Sequence, residues 1–171
     1  PPPPPPPPFQ AEDGIRDDWL RLVGSEMCIR DRLMRAFTVN AIGPALLLKH
    51  FVPLLPLEGR CVFAKLSARV GSIADNRKGG WYGYRASKAA LNMLLQTTAI
   101  EVNRRRPDAR LVALQPGTVR SRLTAPFLSG DAETSAMSPP ESVDLLLSAI
   151  DQLPASRRAT FIDYRGEPVP W

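Results

Sequence analysis

Cysteine and histidine are scarce in this sequence, and their scarcity excludes several kinds of site. The two cysteines, Cys28 and Cys61, cannot form a disulfide framework and lack the spacing of metal ligands. The single histidine, His50, stands among apolar residues and is interpreted as a helix residue rather than a catalyst or ligand. We therefore expect no metal site.

Long apolar runs are also lacking. The longest, such as residues 45–48, are far too short to span a bilayer, and no cationic start precedes an apolar core as in a secretory signal. The net charge of +5 is spread out apart from residues 104–106, where no aromatic side chains interleave with the arginines. We expect a cytoplasmic protein without a membrane or nucleic-acid partner.

The first 32 residues do not look like part of a fold. Residues 1–8 are all proline, and residues 10–17 and 22–32 resemble the conceptual translation of a sequencing-library adapter, with a variable index between them. We therefore expect a disordered, non-native leader over residues 1–32 and a single folded domain over residues 33–171.

The domain alternates helices and strands, which predicts an α/β fold with a parallel sheet. Helical spacing of apolar residues predicts helices over 34–52 and from Tyr84 to about 103, and a capping box at Ser138 and Glu141 predicts a third to about 153. β-Forming runs predict strands over 60–67, 110–115 and 160–164, and residues 118–137 read as a mobile loop.

Tyr84 and Lys88 stand four positions apart in a predicted helix, so they share one face. A nearby ammonium favours the phenolate and would lower the pKa of Tyr84 from about 10. The pair is then suited to move a proton at a carbonyl or alcohol oxygen. A solvated helix face is the alternative interpretation of the same spacing.

Other polar positions converge on this pair. Ser67 and Pro116-Gly117 follow two predicted strands, and the helix of Tyr84 begins at the same edge of the sheet. Ligands of open α/β sheets bind at the carboxyl ends of the strands. Asn40 interrupts an apolar helix, where asparagine is mildly unfavourable, so it either faces water or has a function.

In this order, Asn40, Ser67, the Tyr84-Arg85-Ala86-Ser87-Lys88 segment and the 116–121 segment resemble the C-terminal part of a classical short-chain dehydrogenase/reductase. The 71–80 loop and residues 161–164 are most similar to C-factor-like and sniffer-like carbonyl reductases. The resemblance covers nearly all of 33–171 and implies a Rossmann-like, doubly wound sheet that lacks its first βαβ units.

The resemblance also implies roles for individual residues. Tyr84 would be the acid/base, Lys88 would lower its pKa and bind the nicotinamide ribose, Ser67 would hydrogen-bond the substrate carbonyl, and Asn40 would hold a relay water. The family usually has a serine pair here, whose second member falls on Ala68, so Ser72 is a rival to Ser67. The implied contacts to NAD or NADP are Asn40, Tyr84, Lys88, Pro116, Gly117, Val119 and Ser121.

One family feature is not recognisable in the printed sequence. No Gly-x-x-x-Gly-x-Gly loop follows an opening strand, and the glycines that approach a pyrophosphate are missing. We therefore expect an inactive fragment of an NAD(P)-dependent oxidoreductase that acts on a small carbonyl or alcohol and whose intact parent forms homo-oligomers. The alternatives are a non-enzymatic signalling or interaction protein of the C-factor type and a structural association module.

Overall fold

The computed structural model describes residues 26–125, 128 and 134–171, with side chains described from residue 30 onward. The first described element is helix α1, Glu26–Phe37, which includes residues on both sides of the expected boundary at Leu33. A segment without glycine or proline readily continues a helix, and the expected leader and domain boundary stay predictions. The rest of the predicted leader, residues 1–25, lies outside the described residues.

The helix predicted over 34–52 is interrupted at Asn40. After α1, a π-helical segment spans Thr38–Ile42, and helix α2 spans Gly43–Phe51 before a 3₁₀ turn at Val52–Leu54. Pro44 has no N–H and its ring would clash with the carbonyl four residues back, at Asn40. The wider π turn relieves that clash, and Gly43 N–H donates to the Thr38 carbonyl across it.

The stretch Arg30–Leu54 is long and apolar enough, by length and composition alone, to cross a membrane. This differs from the expectation that no run could span a bilayer, because that expectation considered only uninterrupted apolar residues. This stretch packs against helix α3, Tyr82–Val102, but only 17% of its most apolar window is buried, which is less than a core helix of a soluble protein buries.

Three parallel strands form the sheet in the order β1, β2, β3, which confirms the predicted α/β class. They are Cys61–Leu66, Ala109–Gln115 and Thr160–Asp163, and Cys61 pairs with Ala109 while Val112 pairs with Thr160. Helix α3 connects β1 to β2. Helix α4, Pro139–Asp151, precedes β3. Because both strand pairs are parallel, the carboxyl ends of the strands lie at the same edge of the sheet.

The two faces of the sheet bury separate apolar clusters. Strand residues such as Leu111 and Phe161 pack against Leu95 and Ala99 of α3. On the other face, Val112 and Ile162 join a second cluster with helix α4. Alternate residues of each strand face opposite sides, so a single strand serves both clusters.

The predicted capping box begins α4. The Ser138 hydroxyl accepts from Glu141 N–H, and the Glu141 carboxylate accepts from Ser138 N–H, both at 3.3 Å. The loop predicted over 118–137 lies partly outside the described residues, at 126–127 and 129–133. Its two ends are joined by a parallel bridge between Val119 and Met137.

Candidate active site

Tyr84 lies in the first turn of α3, at the edge where the strands end. Its side chain is at the border of exposure, at 36%, and its hydroxyl has no partner among the described residues. The helix begins after Trp81, whose backbone is left-handed at φ 48°, so the chain turns sharply into the helix there. The phenol is therefore accessible to a ligand.

Lys88 lies one turn further along the same face, as predicted. Its side chain is buried, and its ammonium donates to the Leu66 carbonyl at the end of β1 over 3.0 Å. The same nitrogen lies 5.8 Å from the centroid of the Tyr84 ring. The Lys88 ammonium thus links the end of β1 to helix α3.

The pKa of Tyr84 differs from the expected direction. Burial raises the pKa of the phenol above its ordinary value of 10.0, so the predicted lowering by Lys88 is wrong for this structure. Burial also lowers the pKa of Lys88, and the neighbouring charge of Lys65 adds to that shift. The Lys88 ammonium is engaged by a carbonyl and lies over the ring, so removal of water from the phenol decides the outcome.

Asn40 is brought to the site from the π segment. Its amide nitrogen donates to the Ser87 hydroxyl at 3.1 Å, and that hydroxyl donates to the Tyr84 carbonyl at 2.9 Å. Ser87 is fully buried. The two bonds tie the interrupted helix to the first turn of α3, so the Tyr84 backbone has a fixed place relative to Asn40.

The two serines proposed to contact a substrate carbonyl are both buried. Ser67 donates its hydroxyl proton to the Asn92 side-chain oxygen at 2.6 Å, and only 3% of the residue is exposed. Ser72 is 2% exposed, and its hydroxyl accepts from Asp75 N–H. Both hydroxyls are thus engaged within the chain, and the roles expected for Ser67 and Ser72 stay predictions. Ala68, which is partly exposed, follows directly.

A turn of the chain brings the end of β1 against Lys88. A Cβ atom on Gly71 would lie 2.8 Å from the Lys88 Cβ, closer than side chains tolerate. Asn92 reinforces this approach, because its amide nitrogen donates to the Gly71 carbonyl at 3.3 Å. Sequence analysis did not single out Asn92, since its role depends on contacts more than twenty residues away.

The Pro116–Ser121 segment lies at the end of β2, as predicted. Gly117 has φ 78°, and a Cβ there would lie 2.4 Å from the Met137 side chain and 3.0 Å from the Tyr164 ring. The Pro116 carbonyl accepts from the Ser142 hydroxyl at 2.9 Å. Ser121 and Thr124 exchange hydrogen bonds, so Ser121 is engaged within its own turn.

The sequence did not predict a structural role for Arg85, which stands next to Tyr84. Its guanidinium donates to the carbonyls of Gly79, Gly80 and Val70 at 2.9–3.3 Å and lies 5.7 Å from the Trp81 ring. One side chain thus fastens the loop after β1 to the first turn of α3. The segment Gly79-Gly80 was visible as a turn, but nothing in the sequence shows which cation binds it.

Known proteins resemble the chain over most of this region. The short chain dehydrogenase family matches residues 22–131. The C-signal of Myxococcus xanthus is 37% identical over 140 residues, which is 81% of this chain and 78% of the relative.

Two solved structures extend the comparison to the fold. Carbonyl reductase Sniffer of D. melanogaster aligns with a TM-score of 0.69 at 27% identity over 82% of this chain. An NADPH-bound carbonyl reductase from chicken fatty liver aligns with a TM-score of 0.70 at 28% identity, also over 82%. The chain spans 58% and 57% of these reductases. It therefore belongs to the short-chain dehydrogenase/reductase family, among the relatives of the carbonyl reductases.

Proposed function

We propose that the protein is an NAD(P)-dependent oxidoreductase that interconverts a carbonyl and an alcohol, with Tyr84 as the acid/base. The observation that carries the proposal is the unpartnered, half-exposed Tyr84 hydroxyl one helical turn from the buried ammonium of Lys88. Ligands of open α/β sheets bind at the carboxyl edge, and a proton donor beside a fixed cation at that edge is suited to acid catalysis on a bound substrate.

In the reductive direction Tyr84 donates its proton to the carbonyl oxygen of the substrate. Burial raises the pKa of Tyr84, so the phenol carries its proton at neutral pH but is a weaker acid than a free tyrosine until a nearby charge stabilises its phenolate. The Lys88 ammonium, 5.8 Å from the ring centroid, stabilises the phenolate that remains. In the oxidative direction the same phenolate accepts the alcohol proton.

The described residues fit the nicotinamide end of a dinucleotide. The Lys88 ammonium has three N–H donors and gives one to Leu66, so it retains donors for ribose hydroxyls. Gly117, whose missing side chain makes room for Met137 and Tyr164, shapes the turn that carries Val119 and Ser121, and Pro116, Asn40 and Tyr84 complete the implied set. When bound, the cofactor supplies the hydride.

Ser67 takes a supporting part in this proposal. Its hydroxyl donates a hydrogen bond to the side-chain oxygen of Asn92, and the amide nitrogen of Asn92 donates to the Gly71 carbonyl. Ser67 therefore positions the turn beside Lys88 rather than the substrate. Asn40 acts through Ser87 on the Tyr84 backbone. Both are positioning residues in the free chain.

We also propose that this chain alone binds the dinucleotide weakly and turns over slowly. No glycine-rich pyrophosphate motif is recognisable in the printed sequence, and the reductases that it resembles are longer. Strand β1 forms an edge of the described sheet, where Leu66 is 55% exposed. NADPH is the reference cofactor, because a similar reductase was solved with it.

The second candidate function is that of a non-enzymatic signalling or interaction protein. The 37% identity to the C-signal of Myxococcus xanthus favours it. In that case the surface would act and the Tyr84 hydroxyl would be dispensable. In the enzyme proposal the hydroxyl is the reacting group.

Substitution of Tyr84 separates the two candidates. In the NADPH-dependent reduction of an aromatic aldehyde, Tyr84→Phe should lower the rate about 100-fold or more, since general acid catalysis contributes that much. Tyr82→Phe is the matched control, because Tyr82 is an exposed tyrosine in the same turn and should retain the rate. Equal rates in Tyr84→Phe and the unchanged protein would refute the enzyme proposal.

A further inference from the structure

A polar cavity of about 340 Å³ opens at the carboxyl ends of the three strands. Its lining includes Arg69, Gln115, Thr118, Asp163, Tyr164 and Arg165. Arg69 begins the short 3₁₀ turn that ends at Gly71, and Gly71 packs directly on Lys88. One short turn thus links the cavity to Lys88, although neither Tyr84 nor Lys88 lines it, and the volume of the cavity suits a small molecule.

Hydrogen-bond donors predominate in this cavity. The backbone N–H of Arg69 donates to the side-chain oxygen of Gln115 at 3.2 Å, which fixes the orientation of the Gln115 amide. The NH₂ group of that amide has no partner among the described residues. The Arg165 guanidinium stacks on the Tyr164 ring at 5.2 Å and forms no ion pair with a described residue. Both groups can only donate.

The one carboxylate in the lining is partly engaged by its own turn. Asp163 is 7% exposed, and one of its oxygens accepts from the N–H groups of Arg165 and Glu167 at 2.9 and 3.1 Å. Its other oxygen has the long 3.4 Å contact with Arg69. Asp163 therefore shapes the turn after β3 and holds Arg69 at the cavity.

Two carboxylates orient the Arg69 guanidinium but do not engage all of its N–H donors. Its guanidinium lies 3.4 Å from Asp163 and 3.7 Å from Asp75, both long for charge-assisted hydrogen bonds, and 45% of its side chain is exposed. A guanidinium presents five N–H donors in a plane, so most of them are available to an incoming group.

We propose that the substrate carbonyl compound carries a carboxylate, which Arg69 and the Gln115 amide bind in this cavity. The proposal rests on the proposed function, since the cavity serves as a substrate site only if Tyr84 is the acid/base. A planar carboxylate supplies two acceptor oxygens to a planar guanidinium, and such paired contacts are stronger than neutral ones. A neutral amide of the same shape offers one acceptor and adds donors to a cavity that has a surplus.

The test compares phenylglyoxylate with phenylglyoxylamide, which share a ring and a ketone and differ in charge. Calorimetric titration of the full chain should give a dissociation constant about tenfold lower for the acid, the scale of one charge-assisted contact. Arg69→Leu should remove that preference by weakening the acid and leaving the amide unchanged. Arg69→Lys should retain part of it.

Arg157→Leu is the matched control, since Arg157 is exposed and precedes β3, at the opposite edge of the sheet. It should leave the tenfold preference intact. Equal affinities of acid and amide in the unchanged protein, undetectable binding of the acid, or equal weakening of both by Arg69→Leu would overturn the proposal. The comparison in the unchanged protein decides the matter even if Arg69→Leu does not fold. Binding needs no hydride transfer, so failure of the enzyme proposal leaves this result measurable.

Discussion

Burial shifts the pKa values of Tyr84 and Lys88 in opposite directions. Removal of water disfavours whichever form is charged, so it raises the pKa of the phenol and lowers that of the ammonium. Both shifts favour the neutral pair in the free chain. The site is therefore arranged to keep a proton on Tyr84 until a substrate oxygen takes it.

Lys88→Met should reduce turnover about 100-fold or more, because the phenolate loses its stabilising cation. The same variant should unfold at an equal or higher urea concentration near pH 7, since a buried charge is removed. The lowered pKa of Lys88 means that the folded state binds this proton less tightly than the unfolded state, so the penalty is present at low pH and disappears as pH rises.

The stability advantage of Lys88→Met should accordingly shrink as the pH is raised through the lowered folded pKa towards 10.5. Urea titrations of both proteins from pH 7 to pH 10 measure this. An advantage that grows with pH would contradict the assignment. Lys49→Met, which removes an exposed charge on α2, serves as a control for a general loss of positive charge.

At the residue scale, the sequence was sufficient for the positions of Tyr84 and Lys88 but not for their electrostatics. Helical spacing places two side chains on one face, whereas a pKa depends on burial and on the partner of each charge. The burial of Ser67 was equally hidden, because its partner Asn92 lies on another element.

Among the elements, the approach of the turn after β1 to α3 fixes the site. Gly71→Ala should destabilise the protein by about 1–3 kcal/mol, the usual cost of overpacking, because its Cβ would lie 2.8 Å from the Lys88 Cβ. Urea denaturation gives the value. Gly43→Ala is the comparison: its Cβ would lie 3.3 Å from the Thr38 carbonyl, a tight but less severe contact, and alanine favours a helix, so a smaller destabilisation is expected.

Arg85 fastens the loop before α3 through planar, directional donors. Arg85→Lys keeps the charge but cannot bind the Gly79, Gly80 and Val70 carbonyls together, so the loop should open more often. Trypsin should then cleave after Arg77 or Lys78 several-fold faster than in the unchanged protein. Unchanged cleavage would show that the loop is held by other contacts, and Arg158→Lys, an exposed arginine before β3, controls for the substitution itself.

Most elements followed from local patterns. The strands at 61–66, 109–115 and 160–163 and the capping box of α4 agree closely with the sequence expectation, since alternation and capping are local. The π segment around Asn40 did not follow from periodicity. It arises because Pro44 removes a hydrogen bond four residues back, and apolar spacing does not record that change of register.

In the whole molecule, the cavity at the carboxyl ends of the strands was the feature least accessible from the sequence. The contact between Arg69 and Asp163 joins residues 94 positions apart, and it exists only because β1 and β3 end at the same edge of the sheet. Homo-oligomer formation stays a prediction. Large apolar side chains of the α1–α2 stretch are exposed, among them Val39, Ile42, Leu46 and Phe51.

The cofactor proposal concerns the entire chain. Under the proposal of weak binding, fluorescence titration with NADPH should give a dissociation constant about 100-fold or more above that of the chicken reductase, since several phosphate hydrogen bonds contribute roughly 3 kcal/mol. Lys88→Met should weaken this residual binding further, whereas Lys49→Met, on the exposed side of α2, should not. Tight, stoichiometric binding of NADPH by this chain would contradict the proposal.

The central claim is that burial keeps Tyr84 protonated as the acid beside Lys88. Its most direct measurement is a pH titration of the Tyr84 ring by carbon-13 NMR of the carbon that carries the hydroxyl, with the signal assigned by its loss in Tyr84→Phe. We predict a midpoint above the value of 10.0 for a free tyrosine, and a signal unchanged from pH 6 to pH 9. A midpoint below that value would contradict the account, because the Lys88 charge would then outweigh burial.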